Sequence, residues 1–264
     1  MQIKVNGLAM NYELTGKEGA PVVVLSHSLG SSMVMWEPQL PTLESHFQVL
    51  RYDTRGHGES EAAPGPYTFE MLAEDVVGLL NGLGVPLAHF VGLSMGGMIG
   101  QALGIYHPDR LLSLILCDTA AVNPPGSREI WAERIDLVRK EGLAPLLEPT
   151  LDRWFTPEFI RQAPPILKII RQQFLATSIA GYVGCSQAIM ALDYLENLGK
   201  IQNPTLIVVG EEDPGTPVSA ARAMQERIID SKLVILPGAR HLSNVEQAEA
   251  FIRAVLEFLL RKTR

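Results

Sequence analysis

Short, uninterrupted apolar runs recur along this chain, and they constrain its fold more than any other feature of the sequence. They occupy residues 22–25, 47–52, 89–93, 111–117, 205–209 and 232–236. Runs of this kind are typical of strands that are buried on both faces of a parallel sheet. Segments with helical spacing, such as 69–83 and 246–260, lie between them. The alternation predicts an α/β protein in which helices cover both faces of a mostly parallel sheet.

The first residues depart from this parallel pattern. Asn6-Gly7 is a turn signal of the hairpin type, and it separates the short apolar segments 3–5 and 10–14. We therefore expect the sheet to begin with an antiparallel pair of strands.

A long stretch without strand-like runs separates the sixth predicted strand from the seventh. Within it, residues 131–140, 159–162 and 166–176 have helical spacing, and several prolines keep these helices short. The sequence predicts a helical cap at residues 122–200. This cap is inserted after the sixth strand of a core that comprises residues 1–121 and 201–264.

The charge and composition of the chain argue against several classes of partner. Its 264 residues carry a formal net charge of −7, which argues against a nucleic-acid ligand. No apolar run approaches the roughly 18 residues that span a bilayer, so we expect no membrane partner. Two cysteines cannot build a disulfide framework, and the first residues show no secretion signal. We expect a cytoplasmic protein that is a monomer or a small homo-oligomer.

The segment Gly92-Leu93-Ser94-Met95-Gly96 forms a Gly-x-Ser-x-Gly motif between an apolar run and a helical segment. In this context the motif indicates a nucleophile elbow, a tight strand-to-helix turn that exposes the serine above the carboxyl end of the sheet. The two glycines give the neighbouring backbone room to pack. We predict that Ser94 is a catalytic nucleophile, whereas a glycine-rich turn without this role would merely join a strand to a helix.

A serine hydroxyl needs an adjacent base, and a third group must orient that base. His241 is the histidine that follows all the predicted strands, so we expect it to be the base. Two aspartates follow strands on the same edge of the sheet and could orient it. We favour Asp213, in a turn-rich segment, over Asp118, which could instead cap a helix or turn.

Two backbone amides are needed to hold the oxyanion that forms when serine attacks an acyl group. One is expected from Met95, directly after the nucleophile, and the other from the loop after an earlier strand. In that loop we favour Leu29 over Ser28, with His27 shaping the loop through hydrogen bonds. The histidines and acids show no metal-ligand spacing, so we expect no metal and no organic cofactor.

These residues resemble the α/β-hydrolase superfamily, and motifs over nearly the whole chain resemble 3-oxoadipate enol-lactonases in particular. The motifs occupy residues 25–30, 51–58, 92–101, 118–121, 153–157 and 241–247. The resemblance implies an α/β-hydrolase fold with an eight-stranded sheet flanked by helices. It also implies the opening of 3-oxoadipate enol-lactone to 3-oxoadipate in the β-ketoadipate pathway of aromatic degradation. His57 lies in a loop that is usually structural, while His27 and Asp118 stand where asparagine is expected more often.

A substrate of this class carries a free carboxylate, which needs a cation or several donors in an apolar pocket. The basic residues of the predicted cap that are considered for this role are Arg128, Arg134, Arg139, Arg153, Lys168 and Arg171. We favour Arg134, because Trp131 and Arg134 share a helical face. Trp154 is expected to line the same pocket.

Other functions are compatible with the same residues. A broad-specificity carboxylesterase or another lactonase would use the same triad. A slow-turnover small-molecule receptor is a further alternative, which multiple turnover would exclude. A non-catalytic interaction protein is another, and full activity of Ser94→Ala would support it.

Overall fold

The computed structural model describes residues 1–262 and contains one eight-stranded sheet. In chain order the strands are β1 (Gln2–Val5), β2 (Leu8–Gly16), β3 (Val22–Ser26), β4 (Gln48–Tyr52), β5 (Ala88–Leu93), β6 (Leu111–Cys117), β7 (Thr205–Gly210) and β8 (Ser231–Leu236). Their order across the sheet is β1-β2-β4-β3-β5-β6-β7-β8. β2 pairs antiparallel with β1 and β4, and all other pairs are parallel. The predicted fold class, including the antiparallel start, is confirmed.

Helices flank this sheet and fill the gap between β6 and β7. They are α1 (Leu40–Glu44), α2 (Phe69–Gly82), α3 (Met95–Tyr106), α4 (Ser127–Glu141), α5 (Leu147–Trp154), α6 (Pro157–Gln162), α7 (Pro165–Ala176), α8 (Ile179–Met190), α9 (Val218–Arg227), α10 (Ser243–Glu246) and α11 (Ala248–Lys262). The five helices α4 to α8 follow β6, where the sequence predicts the cap. We keep the name cap for residues 122–200, whose separation from the core stays a prediction.

Two cap helices were missed by the sequence analysis, α5 and α8. Pro149 lies in the first turn of α5, where proline is tolerated, although its presence suggested an interruption. α8 is buried on nearly all sides and has no apolar stripe to reveal it. Its Gly181 packs against Gly56 so closely that a Cβ atom on Gly181 would lie 2.4 Å from the Gly56 Cα atom.

The buried centre of the sheet places the functional loops. All residues of β3, β5 and β7 are buried, as the continuous apolar runs predict. Because these strands are parallel, the loops after β3, β5, β6, β7 and β8 all leave the same edge of the sheet. Over the part of the chain that the structure describes, no helix is long and apolar enough to cross a membrane.

Candidate active site

Ser94 occupies a strained turn between β5 and α3. Its φ and ψ angles are 57° and −113°, a conformation that side chains rarely adopt. The turn is possible because its flanking residues are glycines: a Cβ atom on Gly92 would lie 2.1 Å from the Gly96 carbonyl oxygen. Ser94 N donates to the Cys117 carbonyl over 2.8 Å, and Thr119 Oγ1 donates to the Ser94 carbonyl over 2.8 Å. These contacts attach the elbow to the end of β6.

The structure brings the three predicted triad residues into one chain of hydrogen bonds. His241 Nε2 lies 2.8 Å from Ser94 Oγ, and His241 Nδ1 lies 2.7 Å from Asp213 Oδ2. This is the arrangement in which an imidazole accepts the serine proton while a carboxylate fixes its tautomer. Ser94 and His241 are each only 8% exposed, so the protein around them excludes most solvent.

The turn after β7 holds the Asp213 carboxylate firmly. Its Oδ1 accepts hydrogen bonds from the backbone amides of Gly215 and Thr216, over 2.8 and 3.1 Å. Thr216 Oγ1 donates to Oδ2 over 2.6 Å. Only one direction of the carboxylate is left for His241, so the turn determines how the imidazole is oriented.

Charge attraction shifts the pKa values of the His241–Asp213 pair. Burial is the largest influence on His241 and lowers its pKa, but the charge and hydrogen bond of Asp213 outweigh it, so the pKa is raised overall. For Asp213, burial acts to raise the pKa, and attraction to His241 reverses this effect, so the pKa is lowered. The pair therefore favours an imidazolium beside a carboxylate, which is the charge state that forms when the serine attacks.

Asp118, the other acid considered, lies outside this chain of hydrogen bonds. It is fully buried, and its carboxyl group accepts from Gly210 N over 2.7 Å and from Ser243 Oγ over 2.5 Å. Burial, followed by the charge of Asp213, raises the pKa of Asp118 to about 8. The geometry thus places Asp213, and not Asp118, against the imidazole.

The loop after β3 contains the residue that is predicted to be the second oxyanion donor, Leu29. Within residues 1–262, the backbone amides of Leu29 and Met95 have no hydrogen-bond acceptor. By contrast, Ser28 N is directed to Met35 Sδ at 3.4 Å, and Gly30 N donates to His57 Nε2 at 3.1 Å. Leu29 is therefore the residue of this loop whose amide is available to a ligand, and Met95 opens helix α3.

Two buried neutral histidines hold this loop in place. His57 Nε2 accepts from Gly30 N, and His27 Nε2 accepts from Thr54 N over 2.9 Å. Burial, followed by the charge of His27, lowers the pKa of His57 to about 3, and burial also lowers the pKa of His27. Both rings therefore stay neutral and keep an acceptor nitrogen. No spacing in the sequence links His57 to the loop after β3, and only the fold reveals their contact.

Aromatic residues of the cap lie directly over the loop after β3 that contains Leu29 and Gly30. A Cβ atom on Gly30 would lie 2.8 Å from the ring of Phe174 and 3.3 Å from that of Tyr182. Trp154 packs edge-on against Phe174, with ring centroids 5.9 Å apart. The Trp154 carbonyl also accepts from Leu242 N over 3.1 Å, directly beside His241. Trp154, one of the predicted pocket residues, thus belongs to an aromatic layer over the triad that also contains Phe174 and Tyr182. We call this layer the roof.

Two cap arginines converge at the edge of this roof. Arg134 donates to Tyr182 Oη over 2.5 Å and to Thr150 Oγ1 over 3.0 Å, and its guanidinium lies 5.6 Å from the centre of the Trp131 ring. Arg153 reaches the same Thr150 Oγ1, at 3.5 Å. Neither arginine has an acidic partner among the residues that the structure describes.

Arg153 is one of the basic residues proposed from the sequence for binding the substrate carboxylate, although Arg134 was favoured. The structure places Arg153 beside Arg134. Its side chain is open to solvent, yet the nearby protein and then the charge of Arg134 lower its pKa to about 10. Two other cap arginines are neutralised on the surface, Arg139 by Asp136 and Arg171 by Glu148. Arg128 and Lys168 are exposed.

No three histidine, cysteine, aspartate or glutamate side chains within residues 1–262 are grouped so that they could hold a metal ion. The groups available for chemistry at this site are therefore the triad, the two free amides and the cap cations.

Comparisons with known proteins agree with this geometry. A family model described as alpha/beta hydrolase fold matches residues 21–248. The 3-oxoadipate enol-lactonase 2 of Acinetobacter baylyi is 39% identical over 248 residues, which cover 94% of this chain and 92% of that protein. The crystal structure of the enol-lactonase from Burkholderia xenovorans LB400 matches with a TM-score of 0.95 and 41% identity, covering 98% of this chain and 100% of that one. A malate-bound thermophilic esterase from Thermogutta terrifontis matches with a TM-score of 0.93 and 32% identity, covering 100% of both chains.

The similarity extends over nearly the whole chain and includes the cap, so the resemblance to 3-oxoadipate enol-lactonases is confirmed. The chain belongs to the α/β-hydrolase family and is an enzyme that hydrolyses ester-type bonds.

Proposed function

We propose that this enzyme opens the ring of 3-oxoadipate enol-lactone to give 3-oxoadipate, a step of aromatic degradation in the β-ketoadipate pathway. The observation that carries the proposal is the Ser94–His241–Asp213 chain of hydrogen bonds beneath a cap in which Arg134 and Arg153 have no acidic partner among residues 1–262. A lactone supplies the ester for the triad, and its carboxylate side chain supplies the partner for the arginines. Relatives that carry this activity in their names support the choice.

In the proposed reaction, Ser94 Oγ attacks the lactone carbonyl carbon while His241 Nε2 takes the serine proton. Asp213 holds the imidazole through Nδ1 and stabilises the imidazolium. The carbonyl oxygen becomes an oxyanion between the amides of Leu29 and Met95. Removal of one such donor typically costs on the order of 10²–10³ in rate.

Collapse of the tetrahedral intermediate breaks the bond between the carbonyl carbon and the ring oxygen. The leaving group is an enolate, which takes a proton from His241 and tautomerises to the ketone. It stays attached to the acyl group, because the ester was part of a ring. Water then attacks the acyl-enzyme, with His241 as the base, and releases 3-oxoadipate and free Ser94.

The cap binds the distal carboxylate in this proposal. Arg134 is held in orientation by Tyr182 and Thr150, and it lies over the Trp131 ring. Arg153 supplies a second guanidinium at the same place, while Trp154 packs against the apolar part of the substrate. A planar guanidinium matches a carboxylate with two parallel hydrogen bonds, and this geometry favours arginine over lysine.

A hydrolysis screen tests the proposal. Purified enzyme is assayed for kcat/KM on 3-oxoadipate enol-lactone, on an unsubstituted butenolide and on neutral aryl esters, with Ser94→Ala as the matched inactive variant. We expect the enol-lactone to exceed the other substrates by at least about tenfold, because one charged hydrogen-bonded contact contributes about 1.5–3 kcal/mol. Full activity of Ser94→Ala would refute the mechanism.

A broad-specificity carboxylesterase is the second candidate, and the likeness to the Thermogutta esterase favours it. Equal kcat/KM values for neutral esters and for the enol-lactone would support this candidate and refute the enol-lactonase proposal. A slow-turnover receptor would instead release one equivalent of product in a burst and then stop.

A further inference from the structure

Asp118 is a buried carboxyl group next to the triad that the reaction described above does not use. It follows β6 and has a φ angle of 43°, the left-handed region that costs a non-glycine residue about 1 kcal/mol or more. Its backbone amide donates to the Val208 carbonyl of β7 over 2.8 Å. A strained backbone of this kind persists where the surroundings fix it, and here the fixing contacts are those of the carboxyl group.

The two oxygens of Asp118 join the segment that carries Asp213 to the segment that carries His241. Oδ1 accepts from the amide of Gly210, the last residue of β7, whose carbonyl in turn accepts from Asp213 N over 3.2 Å. Oδ2 binds the hydroxyl of Ser243, two residues after His241. Ser243 is fully buried, so its hydroxyl could not bind water instead if the bond to Asp118 were lost.

The segment that carries Asp213 and the segment that carries His241 also contact each other near Asp118. A Cβ atom on Gly210 would lie 2.3 Å from the Arg240 carbonyl oxygen, directly before His241. The neighbouring Thr119 binds the Ser94 carbonyl. The end of β6 therefore contacts the segments that carry all three triad residues, and Asp118 makes the two contacts that fix acid and base.

We propose that Asp118 is a positioning residue, which joins the Asp213 turn to the His241 loop and thereby keeps the two side chains in hydrogen-bonding register with Ser94. This proposal rests on the triad roles given under the proposed function. Asp118 touches neither the imidazole nor the reacting serine, so it acts through Gly210 and Ser243.

The electrostatic surroundings suit a carboxylic acid that is neutral at pH 7. The groups that influence Asp118 are Asp213, His241 and the Ser243 hydroxyl, and Asp118 in turn influences the Cys117 thiol. His241 also feels Arg153. Burial and Asp213 disfavour a second negative charge at Asp118. The neutral acid leaves Asp213 as the counter-charge of the imidazolium, while an ionised Asp118 would raise the pKa of His241 further.

Three variants test the proposal on a neutral aryl ester. Asp118→Asn keeps an acceptor for Gly210 N and offers a donor to Ser243 Oγ, whereas Asp118→Ala keeps neither, and Ser243→Ala removes one bond. We expect kcat of Asp118→Ala to fall about 10- to 100-fold with KM within about threefold, because a small misplacement of catalytic groups has effects of this size. Asp118→Asn should retain most of kcat, and Ser243→Ala should lie between the two.

The pH dependence of kcat/KM is a second measurement, which would not change if Asp118 only stabilised the fold. In Asp118→Asn the kcat/KM profile should match that of the wild type below about pH 7, where Asp118 is neutral. The two profiles should differ around pH 8, because only the wild type gains the ionised Asp118 that raises the pKa of His241. The matched control is Asp75→Asn, which changes a buried carboxylate that pairs with Arg55 away from the triad. This control should lower stability and leave kcat and the pH profile of the folded enzyme in place.

The outcomes separate this proposal from the proposed function. Wild-type kcat in a folded Asp118→Ala would overturn the positioning role, as would an Asp118→Asn variant that is as slow as Asp118→Ala. If Asp118→Ala does not fold, wild-type kcat in Ser243→Ala together with an Asp118→Asn pH profile identical to that of the wild type around pH 8 overturns it. Activity of Ser94→Ala would instead refute the triad itself, whatever the Asp118 variants show.

Discussion

Replacement of the two cap arginines tests whether the enzyme selects substrates that carry a carboxylate. Arg153→Met and Arg134→Met each remove a guanidinium and keep much of the side-chain length. Both arginines have neutral partners, mainly Thr150 Oγ1 and Tyr182 Oη, so neither leaves an unpaired acid behind. The change therefore removes a partner for the substrate without creating a buried negative charge.

The expected magnitude follows from the exposure of each arginine. A hydrogen bond to a charged group contributes about 1.5–3 kcal/mol, and this range suits the half-buried Arg134. Arg153 is open to solvent, so screening reduces its contribution to about 0.2–1 kcal/mol. At 1.36 kcal/mol for each factor of ten, Arg134→Met should cost about 10- to 150-fold and Arg153→Met about 1.4- to 5-fold.

The assay compares two esters that differ in one terminal group. The kcat/KM for the mono-4-nitrophenyl ester of glutaric acid, which has a free carboxylate, is divided by that for 4-nitrophenyl butyrate, which has none. The ratio should fall by the factors given above. Arg171→Met is the control, because Arg171 is a cap arginine that is neutralised by Glu148. It should leave the ratio unchanged.

The double variant, which combines Arg134→Met with Arg153→Met, tests whether the two guanidinium groups influence each other. Two guanidinium groups around one hydroxyl repel each other, so the loss of either one relieves part of this repulsion. The combined loss in the ratio should therefore differ from the product of the single losses. An unchanged ratio in both single variants would refute the cationic pocket, even if the enzyme hydrolyses the enol-lactone.

Three further predictions concern the triad, the oxyanion loop and Asp118. Asp213→Asn should lower kcat by about 10⁴ and move the low-pH limb of kcat/KM to lower pH, since Asp213 is the group that raises the pKa of His241; an unmoved limb would contradict this cause. His57→Ala should lower kcat about tenfold with little change in KM, because Gly30 N loses its acceptor beside Leu29, whereas His57→Gln should restore part of the loss; equal kcat for both variants would count against it. Asp118→Asn should gain stability over the wild type as pH rises from about 4 to 8, by about 1 kcal/mol per pH unit in urea unfolding, because the folded wild type holds a proton that the unfolded chain releases near pH 3.8; a constant difference across this range would exclude the raised pKa.

The sequence was informative where local pattern and strand ends determine position. Ser94 could be predicted because its motif lies between an apolar run and a helix, and His241 because it follows the last strand on the same edge. The sequence distinguished less clearly between Asp213 and Asp118 as the acid of the triad, since both follow strands on that edge. Their difference depends on which hydrogen bonds each carboxylate meets, the Thr216 turn in one case and the Gly210 and Ser243 contacts in the other.

The cap was harder to interpret because packing, and not periodicity, determines its helices. α8 has glycines where the backbone approaches the core, and both its sides are buried, so no stripe marks it. Arg153 could not be distinguished from the other cap cations for a similar reason. Its meeting with Arg134 depends on the short helix α5, which the sequence analysis missed.

The net charge of −7 gives these arginines a particular importance. An acidic protein does not attract an anionic substrate by its overall field, and salt screens that field beyond about 8–10 Å. Selection for a carboxylate must therefore arise at contact distance, from cations that are free of acidic partners. Within residues 1–262, Arg134 and Arg153 meet this condition, while Arg139 and Arg171 are neutralised on the surface. The distribution of ion pairs in the cap therefore predicts that Arg134 and Arg153 bind the substrate and that Arg139 and Arg171 do not.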